Sequence, residues 1–189
     1  KIASLGKRMG VSVIGSFLVA ASSFLTSVFL ARAFSASDFG LYQYMLSIGQ
    51  SIVFIAGLNL GNAYFTFISK SPRPLSYHLI FSAVQVVLVS FAILVVVSLL
   101  RNYLFESFEL IFILICFAGS FGFFILRQQV IYLLESQRRN ELLQFLLVMA
   151  ALLNLLVLFI ASQANLLQIS YVFLIMGIEY FIIWAFCFF

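Results

Sequence analysis

From Leu142 to Ile178 the sequence runs without a single charged side chain. A helix apolar on every side is buried, either in the core of a large protein or in a membrane. The run is too long for one membrane crossing, and its middle, Ser162-Gln163-Ala164-Asn165, is polar and turn-forming. A crossing needs ~20 mostly apolar residues at ~1.5 Å each. The run therefore divides into spans at about 142–161 and 169–189.

The same reading gives four earlier spans, at about 9–31, 40–68, 79–100 and 110–134. The fourth continues past Arg127. Runs such as Ala92-Ile93-Leu94-Val95-Val96-Val97 do not alternate, so barrel strands are excluded and helices are expected. The fold class expected is an all-α integral membrane protein, a single bundle of six transmembrane helices. Composition agrees. Charged residues make up 8% of the chain and hydrophobic ones 65%, against ~25% charged in soluble domains.

The net charge of +4 does not point to nucleic acid, because the basic residues sit in short loops between apolar spans. With the N-terminus in the cytoplasm, Lys1, Lys7, Arg8, Lys70, Arg73, Arg127, Arg138 and Arg139 fall inside, and only Arg32 and Arg101 fall outside. The opposite orientation would reverse this bias. Removing Arg127 from the count leaves the answer unchanged. Cys116 and Cys187 lie in apolar segments as small buried hydrophobes, with no CxxC and no metal-ligand spacing. The first apolar run is too long for a signal-peptide core and reads as a retained helix. The last span stops at Phe189 without a polar tail, so the chain is expected to continue beyond it.

The residues that could carry function are the polar ones inside the spans. Glu179 lies near the middle of the sixth span, where a charged acid costs ~2.5–3.5 kcal/mol on insertion scales. It is expected to face the bundle interior, water or a partner. It serves either as a proton, cation or cavity site or as half of a structural pair. Arg127, followed by Gln128 and Gln129, could hold an anionic phosphate through its planar fork of donors. It could instead snorkel to the interface or pair with Glu179.

The second span carries Gln43, Tyr44, Gln50, Ser51, Asn59 and Asn62. At 100° per residue, Tyr44, Ser51 and Asn62 share nearly one face. That face suits a sugar or a wet cavity, or else interhelical hydrogen bonds. Gly57-xxx-Gly61 in the same span is a close-packing signal. Ser12, Gly15, Ser16, Ala20, Ser23 and Ser27 form a small-residue stripe on the first span, expected to make tight helix contact. Asn154 and the lone His78 read as structural. No phosphate loop, metal cluster or nucleophile elbow is present, so no enzyme, cofactor or metal is expected.

The stretch Phe29-Leu30-Ala31-Arg32-Ala33-Phe34-Ser35-Ala36-Ser37-Asp38-Phe39-Gly40-Leu41-Tyr42 and the later Gly57-Leu58-Asn59-Leu60-Gly61-Asn62-Ala63 resemble a family signature. The family is the O-antigen and capsule repeat-unit flippases of the multidrug/oligosaccharidyl-lipid/polysaccharide exporter superfamily. The sharp resemblance covers residues 29–63. The rest is similar in helix number, loop length and the basic loop Gln137-Arg138-Arg139-Asn140.

The resemblance implies two six-helix lobes in the bacterial inner membrane, of which this chain supplies the N-terminal one, with a C-terminal lobe of the same chain as its partner. It implies alternating-access transfer of undecaprenyl-diphosphate-linked oligosaccharide to the outer leaflet, alongside glycan polymerase machinery. Arg127 and Arg32 would meet the diphosphate, unless Arg32 and Asp38 are structural parts of the outer loop. The candidate cavity set is Arg127, Glu179, Asn62, Asn59, Tyr44, Gln50 and Arg32. The alternatives are a cation-coupled multidrug antiporter of the same superfamily, a membrane enzyme of the same glycan pathway and a non-transporting helical scaffold.

Overall fold

The computed structural model describes residues 2–57, 63–67, 75–104 and 108–188, and every regular element among them is helical. The helices are α1 (Ile2–Ala33), α2 (Ala36–Gly57), α3 (Leu75–Leu104), α4 (Leu110–Phe121), α5 (Arg127–Ser136), α6 (Asn140–Gln163) and α7 (Ile169–Phe188). A π-helical turn, Gly122–Leu126, joins α4 to α5 without a break, so these form one long span. Residues 63–67 are also helical.

Five helices among the described residues are long and apolar enough to cross a membrane: Gly10–Ala33, Ser76–Leu99, Leu110–Ser136, Asn140–Gln163 and Ile169–Cys187. The protein is an α-helical, multi-pass membrane protein. α2 is not among the five. Its Gln43, Tyr44 and Gln50 dilute an otherwise apolar helix. The span expected at 40–68 starts earlier, at Ala36, and residues 58–62 lie outside the described part. α3 is longer than the expected 79–100 at both ends, since a helix can extend past the hydrocarbon into the interface.

The turns have identifiable causes. Ser35 caps α2: its Oγ accepts the Asp38 backbone N–H at 3.1 Å and donates to Asp38 Oδ2 at 2.7 Å. Such a cap contributes ~1 kcal/mol. α5 ends in a residue of left-handed backbone, Arg138 (φ 58°), with Arg138 N donating to Glu135 O and Arg139 N to Leu134 O, both at 2.9 Å. α6 ends in the same way on Asn165 (φ 55°), with Asn165 N donating to Ser162 O and Leu166 N to Ala161 O. Both are Schellman closures, which satisfy the last carbonyls of a helix. The expected turn at 162–165 is this second closure.

Packing is closest where α4 and its π turn meet α7. A Cβ on Gly122 would lie 2.7 Å from the Gly177 Cα, and one on Gly177 would lie 2.9 Å from the Gly119 Cα. A Cβ on Gly119 would strike the Phe173 backbone. Small residues allow such backbone approach, which supplies the van der Waals contact that drives helix association in lipid. Gly49 of α2 is similarly pressed against Ser120 of α4, and Gly15 of α1 against Gln144 of α6. Around these contacts Leu30, Met45, Ile113, Phe117, Val172 and Phe173 form a fully buried core. Gly57-xxx-Gly61 does not enter this account, since Gly61 lies outside the described residues.

Candidate functional site

Arg127 and Glu179 line one cavity of about 190 Å³. Six elements build it. α1 contributes Val19, Ser23, Thr26 and Ser27, and α2 contributes Tyr42 and Leu46. The π turn and α5 contribute Phe123 and Arg127, α6 Ala151 and Asn154, and α7 Met176, Glu179 and Tyr180. The cavity lies towards the bundle end that carries the α1–α2 and α6–α7 turns. Ser23 and Ser27 are exposed at its edge, whereas Arg127, Asn154 and Glu179 are half-buried within.

The sequence explains how these side chains meet. The π turn inserts one extra residue into the helical repeat immediately before Arg127, which rotates the helix beyond it relative to α4. The glycine contact between α4 and α7 draws Arg127 and Glu179 towards the same space. Their separation along the sequence and the expected difference in depth do not keep them apart.

The Arg127 guanidinium packs against aromatic rings of the cavity wall. It sits over the rings of Phe123, at 5.5 Å, and Tyr180, at 5.9 Å, an attraction of ~0.5–2 kcal/mol. Its Nε is buried and has no hydrogen-bond partner. Glu179 Oε2 accepts from Asn154 Nδ2 at 3.0 Å, while its Oε1 is buried without a partner. The acid is thus bonded to Asn154 rather than Arg127. A buried polar atom left unpaired costs ~1–3 kcal/mol, more for a charged group.

The rest of the wall is hydroxyl and aromatic. Thr26 Oγ1 donates to Ser22 O at 2.9 Å and Ser27 Oγ to Ser23 O at 3.1 Å, so both hydroxyls spend their proton on their own helix. Their remaining capacity is as acceptors. Tyr42, buried, reaches Met176 Sδ at 3.9 Å.

A second polar group lies towards the other end of the bundle. Gln129 of α5 accepts from Ser82 Oγ and donates to Gln85 Oε1 at 3.2 Å, both on α3. All three residues are buried. Beside them Tyr64 is hydrogen-bonded to His78 Nδ1 at 2.5 Å and stacks on Phe81 with centroids 3.8 Å apart. Gln128 Nε2 donates to Tyr132 at 2.5 Å. The space among Tyr64, His78, Phe81, Gln129 and Tyr132 is only about 10 Å³.

The other expected site residues fall elsewhere. Tyr44 and Gln50 are exposed on α2, with Ser47 and Ser51 beside them, and the cavity is lined by Tyr42 and Leu46 instead. Arg32 is exposed in the last turn of α1. Asn59 and Asn62 lie outside the described residues. The small-residue stripe of α1 splits: Gly15 packs against Gln144, but Ser16, Ala20, Ser23 and Ser27 are exposed rather than in tight helix contact. The sequence reading missed Tyr42 and Gln85 and gave Asn154 no part in the cavity. Asn154, three turns below the α6–α7 turn and on no polar stripe, becomes informative only once Glu179 is placed beside it. Among the described residues no three His, Cys, Asp or Glu side chains gather as metal ligands would.

No family profile, curated protein or solved structure gives a significant match to this chain.

Proposed function

We propose that this chain is the N-terminal, six-helix lobe of a flippase, with its N-terminus in the cytoplasm. It moves a lipid-diphosphate-linked oligosaccharide across the bacterial inner membrane by alternating access. The observation that carries this reading is the cavity itself: a cation and an acid, each with an unpartnered polar atom, in a space with Ser23 and Ser27 of α1 exposed at its edge. Charged residues within a membrane bundle are costly unless they serve a pathway or a partner. The exposed faces of α1 and α2 support the same reading. Ser16, Ala20, Ser23 and Ser27 recur at helical spacing, as do Tyr44, Ser47 and Ser51. A polar stripe of this kind suits a water-filled passage shared with a second lobe better than lipid. The junction resemblance at residues 29–63 supplies the substrate class, and the bias of Lys and Arg supplies the orientation.

In mechanism, the lobe offers a polar wall that substrate meets in either orientation of the transporter. Arg127 is fixed by Phe123 and Tyr180, so its unpartnered N–H is held in place before substrate arrives. Preorganisation of this kind lowers the ordering cost of binding. The Gly119, Gly122 and Gly177 contact keeps α4, α5 and α7 together as one body when the lobes rock.

A cation-coupled drug antiporter is the second reading, favoured by the free oxygen of Glu179. Full-length protein in proteoliposomes separates the two. The flippase reading expects translocation of lipid-linked oligosaccharide without proton-driven uptake of a cationic dye. Dye uptake with no glycan translocation would replace it.

A further inference from the structure

The Arg127–Glu179 cavity is shaped by what its two charges still lack. Arg127 already has ring faces against its guanidinium, and Glu179 already accepts from Asn154. What remains open includes the buried Nε–H of Arg127, one of its five guanidinium donors, and one carboxylate oxygen of Glu179. Both atoms can take a hydrogen bond from a neutral partner.

That deficit selects among ligands. An anion drawn to Arg127 would be repelled by Glu179, and a cation drawn to Glu179 would be repelled by Arg127. Repulsion of this kind grows as the local dielectric falls. A hydroxyl meets both needs, because it accepts from Nε and donates to Oε1. Several hydroxyls on one ring also meet Ser27 and Thr26, whose oxygens remain acceptors, and the ring's C–H face can lie on Tyr42 or Phe123. Pockets for drug-sized ligands measure about 300–1,000 Å³. A cavity of about 190 Å³ holds one small ring and not a chain.

We infer that the space enclosed by Arg127, Asn154, Glu179, Tyr42 and Ser27 is a binding site for a single neutral sugar ring, held inside the lobe. The assignment of a physiological ligand rests on the flippase reading. The binding of a free sugar does not. On that reading, one residue of the glycan docks within the lobe, and its diphosphate is held elsewhere.

The test uses full-length protein in nanodiscs and saturation-transfer NMR with four probes: N-acetylglucosamine, rhamnose, glycine and inorganic diphosphate. Saturation transfer is expected to at least one neutral sugar and to neither glycine nor diphosphate. Glu179→Leu should abolish the sugar signal. Ser27→Phe, which fills the edge of the cavity without touching a buried charge, should abolish it while leaving the melting temperature close to that of the parent. Ser27→Phe thus covers the case in which Glu179→Leu fails to fold. Absence of any sugar signal overturns the site, as does a signal unchanged in Ser27→Phe or a signal confined to glycine or diphosphate. The two readings fail separately. Sugar binding without glycan translocation retains the site and removes the flippase. Translocation with no sugar binding does the reverse.

Discussion

Two polar groups are buried in one apolar bundle, and they differ in how far their hydrogen bonds are satisfied. In the Ser82–Gln85–Gln129 cluster each named side chain finds a partner across α3 and α5, and the space beside it is about 10 Å³. In the Arg127–Glu179 cavity the groups are charged, polar atoms are left unpaired, and about 190 Å³ is open. A complete network holds helices together. We propose that an incomplete one around open space serves something that enters. Burial of polar residues within a membrane protein therefore does not distinguish structure from function. A hydrogen-bonding deficit points to a site only where it lines open space, since Gln144 Oε1 is also unpartnered but lies against Gly15 outside the cavity.

The largest effect that would break this comparison is on transport. Arg127→Ala and Glu179→Ala should each slow translocation of lipid-linked glycan in proteoliposomes about 10- to 100-fold. This follows from losing one charge-assisted hydrogen bond at ~1.5–3 kcal/mol. Each should also lose some thermal stability, since Arg127→Ala gives up its contacts with Phe123 and Tyr180 and Glu179→Ala strands the Asn154 amide, so transport is read per folded molecule. The complementary variant lies in the other cluster. Gln129→Leu strands the Ser82 hydroxyl and the Gln85 carbonyl, and should destabilise the fold by ~1–3 kcal/mol. Transport per folded molecule should be unchanged. A matched pair of melting curves and flux assays reads both.

Gly177→Ala probes the element that links the two regions. The added methyl meets the backbone of α4 at 2.9 Å. It should cost ~1–3 kcal/mol in thermal stability through overpacking. It should also reduce transport beyond the loss of folded protein, because the same contact places Arg127 beside Glu179. The smallest effect is expected from Ser82→Ala, Gln85→Leu and Gln129→Leu together. Replacing all partners by apolar groups leaves no orphan, and the melting temperature should return close to that of the parent. A triple variant less stable than Gln129→Leu alone would mean that the cluster does more than satisfy itself.

Much of the bundle was legible because lipid imposes one rule, that the backbone bond to itself within apolar runs. Five of the six expected spans, the 162–165 turn and the separation of α3 from α4 follow from charge-free runs and their polar interruptions. Glu179 and Arg127 were legible as costs, since each is a charge at membrane depth. What they face was not. Their convergence depends on the π turn at Gly122–Leu126 and the Gly119, Gly122 and Gly177 contact, and no periodicity announces a one-residue shift of register. The polar face of α2 was read from a regular helical wheel as Tyr44, Ser51 and Asn62. The structure turns Tyr42 inward and Tyr44 outward, because Gly49 and Met45 are the residues that pack against α4 and the core. Asp38 stands in the resembling motif, and its bond to Ser35 gives it a local capping role.

The central claim is that the cavity and the exposed stripes of α1 and α2 meet water, not lipid. It is tested most directly by cysteine labelling of full-length protein in membranes, in a background where Cys116 and Cys187 are replaced by Ala. Ser23→Cys, Ser27→Cys and Ser47→Cys should react with a membrane-impermeant maleimide. Phe24→Cys on α1 and Phe91→Cys on α3, which are exposed beside them or elsewhere on the bundle, should not. Silence at all three serine positions, or equal labelling of the phenylalanine positions, would contradict the account.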